Sequence, residues 1–493
     1  MAKADIVIAE VNNGNASLKD YYGFGNGTLK KDANNDWVLL SSSAANNQTK
    51  LTFQRKLITM DANDMDITSD TMRLIWAYGE GNFSRDNFTL GGYRSLHLLQ
   101  IKRPSYDDPP DAVKLIVTMN NTVVPNDTTT YCKGNEFLVH HMLLYLCEMK
   151  YPNKIMGKGR KCYENNMPQH WEKCHSVLFA WAIGGSNLPL PEHVGFPLDV
   201  ENPLSFLVEI HYDNPQKKTD MIDSSGFEIT LIPARRQFDA SVLDMGNSPI
   251  GNIALLQKIP PYQSHFRTSS VCLSNCIYDT FPPKNETIVM KIFAVLLHAH
   301  YLGRTIILHH FRNGKEIESI AADRNYDFNY QETVFLKKEI EVLRGDDLKL
   351  ECVYNSKERT KFTFAGLATK DEMCLAFILY YPKMPVAFCY GDILIKDNEW
   401  LKYQLNPVNL HKFKKPEVSK EFEQTVNGVR RNSSFVSFCS SGLNYNISMQ
   451  PTYNVLNLLQ YETDTHGAEN GVGTQFAVSL IAAELLLCLA LSV

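Results

Sequence analysis

The sequence predicts a mainly β protein built of antiparallel β-sandwiches. Short stretches rich in β-branched and aromatic residues recur along it: ADIVIAEV, LHLLQIKR, AVKLIVTM, FLVHHMLLYLC, SVLFAWAIGG, SFLVEIHYDN, GFEITLIPA, IVMKIFAVLLHAHYLG, TIILHHFRNGK, DLKLECVYN and CLAFILYYPK. Turn clusters such as NPQKKTD, RNGKE and RGDD bound them, and long amphipathic helical patterns are nearly absent before residue 415. Many short strands separated by turn signals are the pattern of sandwiches rather than of helical or doubly wound folds.

The 493 residues give room for roughly two to four domains. Residues 1–92 form a polar, strand-bearing module. Residues 93–220 carry the first histidines with Cys132, Cys147, Cys162 and Cys174, and residues 221–400 carry the second histidines with Cys272, Cys276, Cys352, Cys374 and Cys389. Residues 401–475 form a looser extension with Cys439, and residues 476–493 an apolar tail with Cys488. A net charge of −5 and the lack of a strongly basic face argue against a nucleic-acid partner. The basic stretch KIMGKGRK lacks interleaved aromatics and reads as a solvated loop.

The cysteines are spread over three hundred residues without zinc-ribbon spacing, which reads as a disulfide framework made in an oxidising compartment. Sequons at Asn15, Asn26, Asn47, Asn82, Asn87, Asn120, Asn126, Asn285, Asn432 and Asn446 point the same way, to a glycosylated lumenal protein. The opening MAKADIVIAEVNNGN has no apolar signal-peptide core, so a truncated or variant chain is expected. The closing run FAVSLIAAELLLCLALSV is 18 residues long, just enough to span a bilayer, with Glu484 unfavourable inside it. It is expected to be a membrane anchor or a signal exchanged for a GPI lipid, at the endoplasmic reticulum or the cell surface.

Two histidine patterns carry chemistry. In a strand, side chains at i and i+2 share a face, so His298 and His300 in LLHAHYLG point two imidazoles at one place. His140 and His141 in FLVHHMLL are adjacent and face opposite sides of a regular strand, so both reach one metal only at a strand end or bulge. A third ligand must come from elsewhere, and VEIHYDNP offers His211. His309 and His310 read as an ordinary strand leading to a turn.

The segments GNEFLVHHMLLYLC, AWAIGG, LVEIHYDNP, LLHAHYLGR, YDFNYQE and TKDEMCLAFILYYP stand in one order at family spacing. Together they resemble the copper type II, ascorbate-dependent monooxygenases, on the dopamine β-hydroxylase side of that family. The resemblance covers residues 1 to about 400. It implies two linked, jelly-roll-like copper sandwiches facing each other across a wet cleft, preceded by part of a DOMON sandwich at residues 1–92. It implies two coppers, one on His140, His141 and His211 and one on His298, His300 and Met373, with ascorbate as electron donor and O₂ activated at the second set. His298, His300 and Met373 are then the catalytic ligands; a thioether suits Cu(I). It also implies the disulfides Cys132–Cys162, Cys147–Cys174, Cys272–Cys389, Cys276–Cys439 and Cys352–Cys374.

The peptide-amidating branch holds its substrate carboxylate with an Arg, an Asn and a Tyr. Leu296, Leu375 and Phe377 stand at those positions here, which implies a hydrophobic or amine-like small-molecule substrate. Glu209, near His211, is as readily a structural carboxylate as an amine counter-ion. Cys132 and His140 are only eight residues apart, where the family carries a longer stretch including a further strand. The alternative is therefore a tethered copper-holding or binding protein that keeps the fold without turnover. A zinc hydrolase built on the same histidines would give Met373 no role.

Overall fold

The computed structural model describes residues 4–12, 15–24, 28–45, 48–79, 88–99, 103–105, 107–119, 122–123, 139–147, 151, 167, 174, 176–198, 205–212, 218–247, 258–279, 287–366, 369–394, 424, 434–440, 448–451 and 484–492. Among these, strands dominate, and Ser274–Tyr278 is a single short helix. The chain divides into two compact units: residues 1–72, 97–99 and 469–493, and residues 73–96 and 100–468.

In the first unit Asp5–Asn12, Asn15–Phe24 and Thr28–Lys31 form one antiparallel sheet. A second sheet joins Val38–Ala45, Gln48–Lys56 and Glu484–Ser492. Trp37 meets Phe53 edge-on at 5.4 Å, and the Arg55 guanidinium lies over Trp37 while pairing with Asp5. The described part of the apolar tail is thus a strand, registered antiparallel to Gln48–Lys56 with Leu489 opposite Leu51. An unpaired sheet edge is a row of unsatisfied donors and acceptors, and an apolar segment that covers it satisfies them. Among the described residues no helix is long and apolar enough to cross a membrane.

In the second unit the larger sandwich occupies the C-terminal half. Its first sheet runs Val334–Val342, Met290–Ala299, Cys374–Tyr381, Ser241–Gly246, Phe388–Leu394, Ser434–Ser440 and Ser448–Pro451. The second runs Phe266–Cys272, Asp346–Tyr354, Gly303–Arg312 and Lys315–Asp323. Leu243, Met245, Ile292, Val295 and Ile378 of the first pack on Phe266, Ile306, Leu308 and Leu350 of the second, all buried. The hairpin turn after Gly303–Arg312 is Asn313-Gly314, both with positive φ (53° and 72°), as the twist of a two-residue hairpin turn demands.

The strand Met290–Ala299 is buried on both faces. A register shift between Ile292 and Ala294 sets its faces. Val295, Leu297 and Ala299 then join the sandwich core, while Ala294, Leu296 and His298 look the other way. That second face carries another apolar cluster, with Phe293, Leu296, Met373, Leu375, Phe377 and Leu379 buried and Val177 and Ala180 packed against them. Val177 and Ala180 belong to a separate sheet of Ser176–Ala182, Val139–Cys147 and Ser205–Tyr212. Its own core is Val139, Met142, Leu144, Val208, Ile210, Tyr212 and Phe227.

Disulfides join Cys147 to Cys174, Cys272 to Cys389, Cys276 to Cys439 and Cys352 to Cys374, the pairings the resemblance implies. Cys132 and Cys162 lie outside the described residues. The Cys352–Cys374 bridge closes a separation of 22 residues and fastens the neighbour of Met373 to the opposite sheet. Replacing both cysteines by serine is expected to lower unfolding stability by about 3 kcal/mol, measured in urea, because the unfolded chain regains the closed loop's freedom.

Candidate metal centre

The strands deliver five histidines to one place. His141 pairs with His211 across Val139–Cys147 and Ser205–Tyr212, and directly opposed residues share a face. The register shifts between Val139 and His141, a local irregularity that lets His140 turn toward the same side. His298 pairs with Leu375, and Ala299 with Cys374. Continuing that register by one step sets Met373 opposite His300 and puts His298, His300, Leu375 and Met373 on one face.

The two sets stand close together rather than across the wet cleft that the resemblance implies. His141 and His298 stand with ring centroids 5.7 Å apart, and His298 and His300 5.2 Å apart. His140, His211, His298, His300 and Met373 are each at most 7% exposed. The facing apolar surfaces around Leu296, Phe377 and Val177 pack against each other.

Burial decides the charge of these rings. It pushes His140 down to about 3 and His211 and His298 down to about 4, with neighbouring imidazoles adding to the effect on His140 and His211. His141 and His300 fall well below the ordinary value for the same reasons. All five are therefore neutral near pH 7, the form in which imidazole binds a metal.

The hydrogen bonds then fix the tautomers. The carbonyl of Phe328 can only accept, so His140 donates from Nε2 at 3.3 Å and leaves Nδ1 as an acceptor. His141 Nδ1 donates to that nitrogen at 3.0 Å, and His211 Nδ1 donates to His141 Nε2 at 3.2 Å. The Thr369 hydroxyl closes the chain on His211 Nε2 at 3.1 Å. In the second set His298 Nδ1 donates to Gln331 Oε1 at 2.7 Å and His300 Nδ1 to the Asp371 carbonyl at 3.0 Å. Each ring of that set is left with a bare Nε2 lone pair. His300 Nε2 is buried without any hydrogen-bond partner, and a buried lone pair with no donor is unfavourable unless an ion or another group takes it up.

The donor chemistry fits copper. Three neutral imidazoles make one set, and two bare Nε2 atoms with an opposed thioether make the other. In the first set His141 lies between the other two rings, so bringing one nitrogen from each onto a common ion requires the His141 ring to turn.

Some residues that position the site were not singled out in the sequence. Glu372 accepts the backbone N–H groups of Leu302 at 2.5 Å, His300 at 2.9 Å and Met373 at 3.2 Å, tying both ends of the second set together. Burial pushes its carboxyl up to about 8 against those three bonds. Phe328 stacks on His140 at 3.7 Å with 12° between the rings. Glu209, which the sequence left open as a structural carboxylate or an amine counter-ion, takes the Tyr145 hydroxyl at 2.9 Å. His309 and His310 stay outside the cluster, held by Glu316 at 2.7 Å and Asp346 at 2.8 Å.

Comparison with known proteins decides the family. The sequence model of the copper type II ascorbate-dependent monooxygenase N-terminal domain matches residues 128–219, that of the C-terminal domain matches 238–400, and that of the DOMON domain matches 1–79. The chain belongs to the copper type II ascorbate-dependent monooxygenases. It is 38% identical over 419 residues to human DBH-like monooxygenase protein 1, covering 79% of this chain and 67% of that protein. It is 30% identical over 424 residues to canine dopamine beta-hydroxylase, covering 80% of this chain and 66% of that one. A DOMON module followed by two monooxygenase domains is thus the chain's organisation, and such a monooxygenase works with copper and ascorbate.

For the metal-free chain the buried histidines set a pH window. Their folded values lie below 6.5, so the unfolded chain binds more protons as pH falls past 6.5, and stability is lost from there down toward 4. Each such ring contributes up to about 1.4 kcal/mol per pH unit. The urea midpoint is expected to fall between pH 7.5 and pH 5, and the fall to shrink when His298 is replaced by Gln.

Proposed function

We propose that this chain hydroxylates an aliphatic C–H bond of a hydrophobic, amine-bearing small molecule on the lumenal side of the secretory pathway, using two coppers. One copper would be held by His140, His141 and His211 and the other by His298, His300 and Met373; bound there, they supply electron storage and oxygen activation. One oxygen atom of O₂ enters the C–H bond and the other leaves as water, with two electrons from ascorbate and two protons. The orphaned Nε2 of His300, opposite Met373 in register, is the observation that carries the assignment of the second set.

The substrate reading rests on the face beside that set. Leu296, Leu375 and Phe377 line it, and none of the three offers a peptide carboxylate a polar partner. Asp244 belongs to the same face, since it pairs with Phe377 and lies two residues from Val242. Its Oδ2 accepts the Tyr390 hydroxyl at 2.5 Å, while Oδ1 is buried without a partner. An ammonium group is the chemistry that such an oxygen lacks. The space between Val177–Ala180 and Leu296, Phe377 and Leu379 is closed to about 10 Å³, so the two faces must part to admit a substrate.

The sequons agree with the lumenal reading, and membrane attachment rests on the 18-residue apolar tail alone. The non-catalytic alternative rests on the short spacing between Cys132 and His140, a stretch mostly outside the described residues.

Copper content tests the assignment. The chain is expected to bind two coppers, and Met373→Ala one. One copper that Met373→Ala removes would mean the three-histidine set does not fill, and binding indifferent to Met373 would refute the second set. For the substrate, Asp244→Asn is expected to lower kcat/KM for primary amines by about tenfold to a hundredfold, the loss of a charge-assisted hydrogen bond. Neutral analogues of the same shape should be unaffected.

A further inference from the structure

One buried side chain touches both histidine sets. Gln331 is 3% exposed and lies between the strands Lys315–Asp323 and Val334–Val342. Its Nε2 donates to the Phe328 carbonyl at 2.8 Å, which fixes the amide's orientation because that carbonyl can only accept. Its Oε1 therefore faces His298 and takes the Nδ1 proton at 2.7 Å. The same Phe328 carbonyl accepts His140 Nε2–H at 3.3 Å. A continuous path runs from His140 through one carbonyl and one amide to His298. A second path runs through the backbone: Gln331 N–H donates to the Ile183 carbonyl at 3.3 Å, and Ile183 N–H to the His140 carbonyl at 3.1 Å.

The segment around Gln331 is itself anchored. Asp327 takes the Ser95 hydroxyl at 2.6 Å and pairs with Arg73. Glu332 pairs with Arg103 and takes the Ser186 hydroxyl at 3.1 Å. The amide is thus held from both sides, as a residue must be if it is to set the tautomer of a ligand.

We propose that Gln331 is a positioning residue that couples the two copper sets. It holds His298 in the Nδ1–H tautomer with Nε2 unprotonated, and through the shared Phe328 carbonyl it holds His140 in the Nε2–H tautomer with Nδ1 unprotonated. This rests on the copper reading above. A residue that merely filled space would act through volume; this one acts through a donor and an acceptor, and the two can be separated. Gln331→Leu removes both. Gln331→Glu keeps the acceptor for His298 and loses the donor to Phe328.

The test is Cu(I) affinity of the folded full chain, measured by competition with a chromophoric chelator, with thermal unfolding as a check. Met373→Ala isolates the three-histidine set, and His211→Ala isolates the other. Gln331→Leu is expected to weaken copper about tenfold to a hundredfold in both backgrounds. Gln331→Glu should weaken it only in the Met373→Ala background. Copper affinity unchanged by Gln331→Leu, or weakened in the His211→Ala background alone, overturns the coupling. Should Gln331→Leu not fold, Gln331→Glu decides: unchanged affinity in the Met373→Ala background overturns it. An unmodified chain that binds no copper refutes the copper reading itself, and the coupling falls with it.

Discussion

Five imidazoles share one desolvated cluster, and the rest of the second unit is arranged so that they can stay there uncharged. Each buried ring nitrogen that carries a proton needs an acceptor, since an unmet donor costs about 1–3 kcal/mol. A carboxylate acceptor would raise the proton affinity of the ring and favour the imidazolium in the metal-free chain. The partners given to His140, His298 and His300 are neutral oxygens: the carbonyls of Phe328 and Asp371 and the amide of Gln331. His309 and His310, which are strand residues and not part of the cluster, take carboxylates instead. Glu372 is the carboxylate nearest the second set in sequence, and it is spent on backbone N–H groups rather than on a ring.

That constraint explains features of the fold that core packing alone does not. The strand Met290–Ala299 must be apolar on both faces, because one face builds the sandwich and the other closes on the apolar surface beside the histidines. The register shift near its middle decides which residues go where, and it puts His298 on the outer face with Leu296. The Cys352–Cys374 bridge and the Glu372 carboxylate then hold Cys374 and Met373 from opposite sides. A thioether on a flexible side chain makes a dependable ligand only if its backbone cannot drift.

How much of this could be read from the sequence depends on how local each relation is. The period of two in a strand makes the shared face of His298 and His300 legible from LLHAHYLG alone. The need for an irregularity at His140–His141 was also legible, but its position between Val139 and His141 depends on the partner strand. Met373 opposite His300 joins residues 73 positions apart and became visible only through family resemblance. Gln331, Glu372 and Asp244 were not singled out because an amide or a carboxylate in a strand-rich sequence says nothing of what it will face. The apolar tail shows another limit: an 18-residue apolar run is long enough for a membrane span by composition, and its residues Glu484–Ser492 also pair with Gln48–Lys56 as a strand, a partner that composition does not name. Composition reports what a segment avoids, not which surface it finds.

Asp244 carries the same logic one step further. Its nearest neighbours in the row, Phe377 and Leu296 on one side and Phe388 on the other, are apolar. Burial pushes its carboxyl up to about 6, and the Tyr390 hydroxyl offsets only part of that at one oxygen. A carboxylate so placed destabilises the closed chain, and it would be replaced by an apolar side chain of similar size with a gain in stability if nothing ever met it. The same closed surface leaves a void no larger than a water molecule between Phe377 and Val177–Ala180. An unmet acceptor and a closed apolar face are two halves of one arrangement. On the proposed substrate reading, parting the faces would expose the acceptor, and a cationic, hydrophobic guest would satisfy it while replacing the apolar contacts that opening removes.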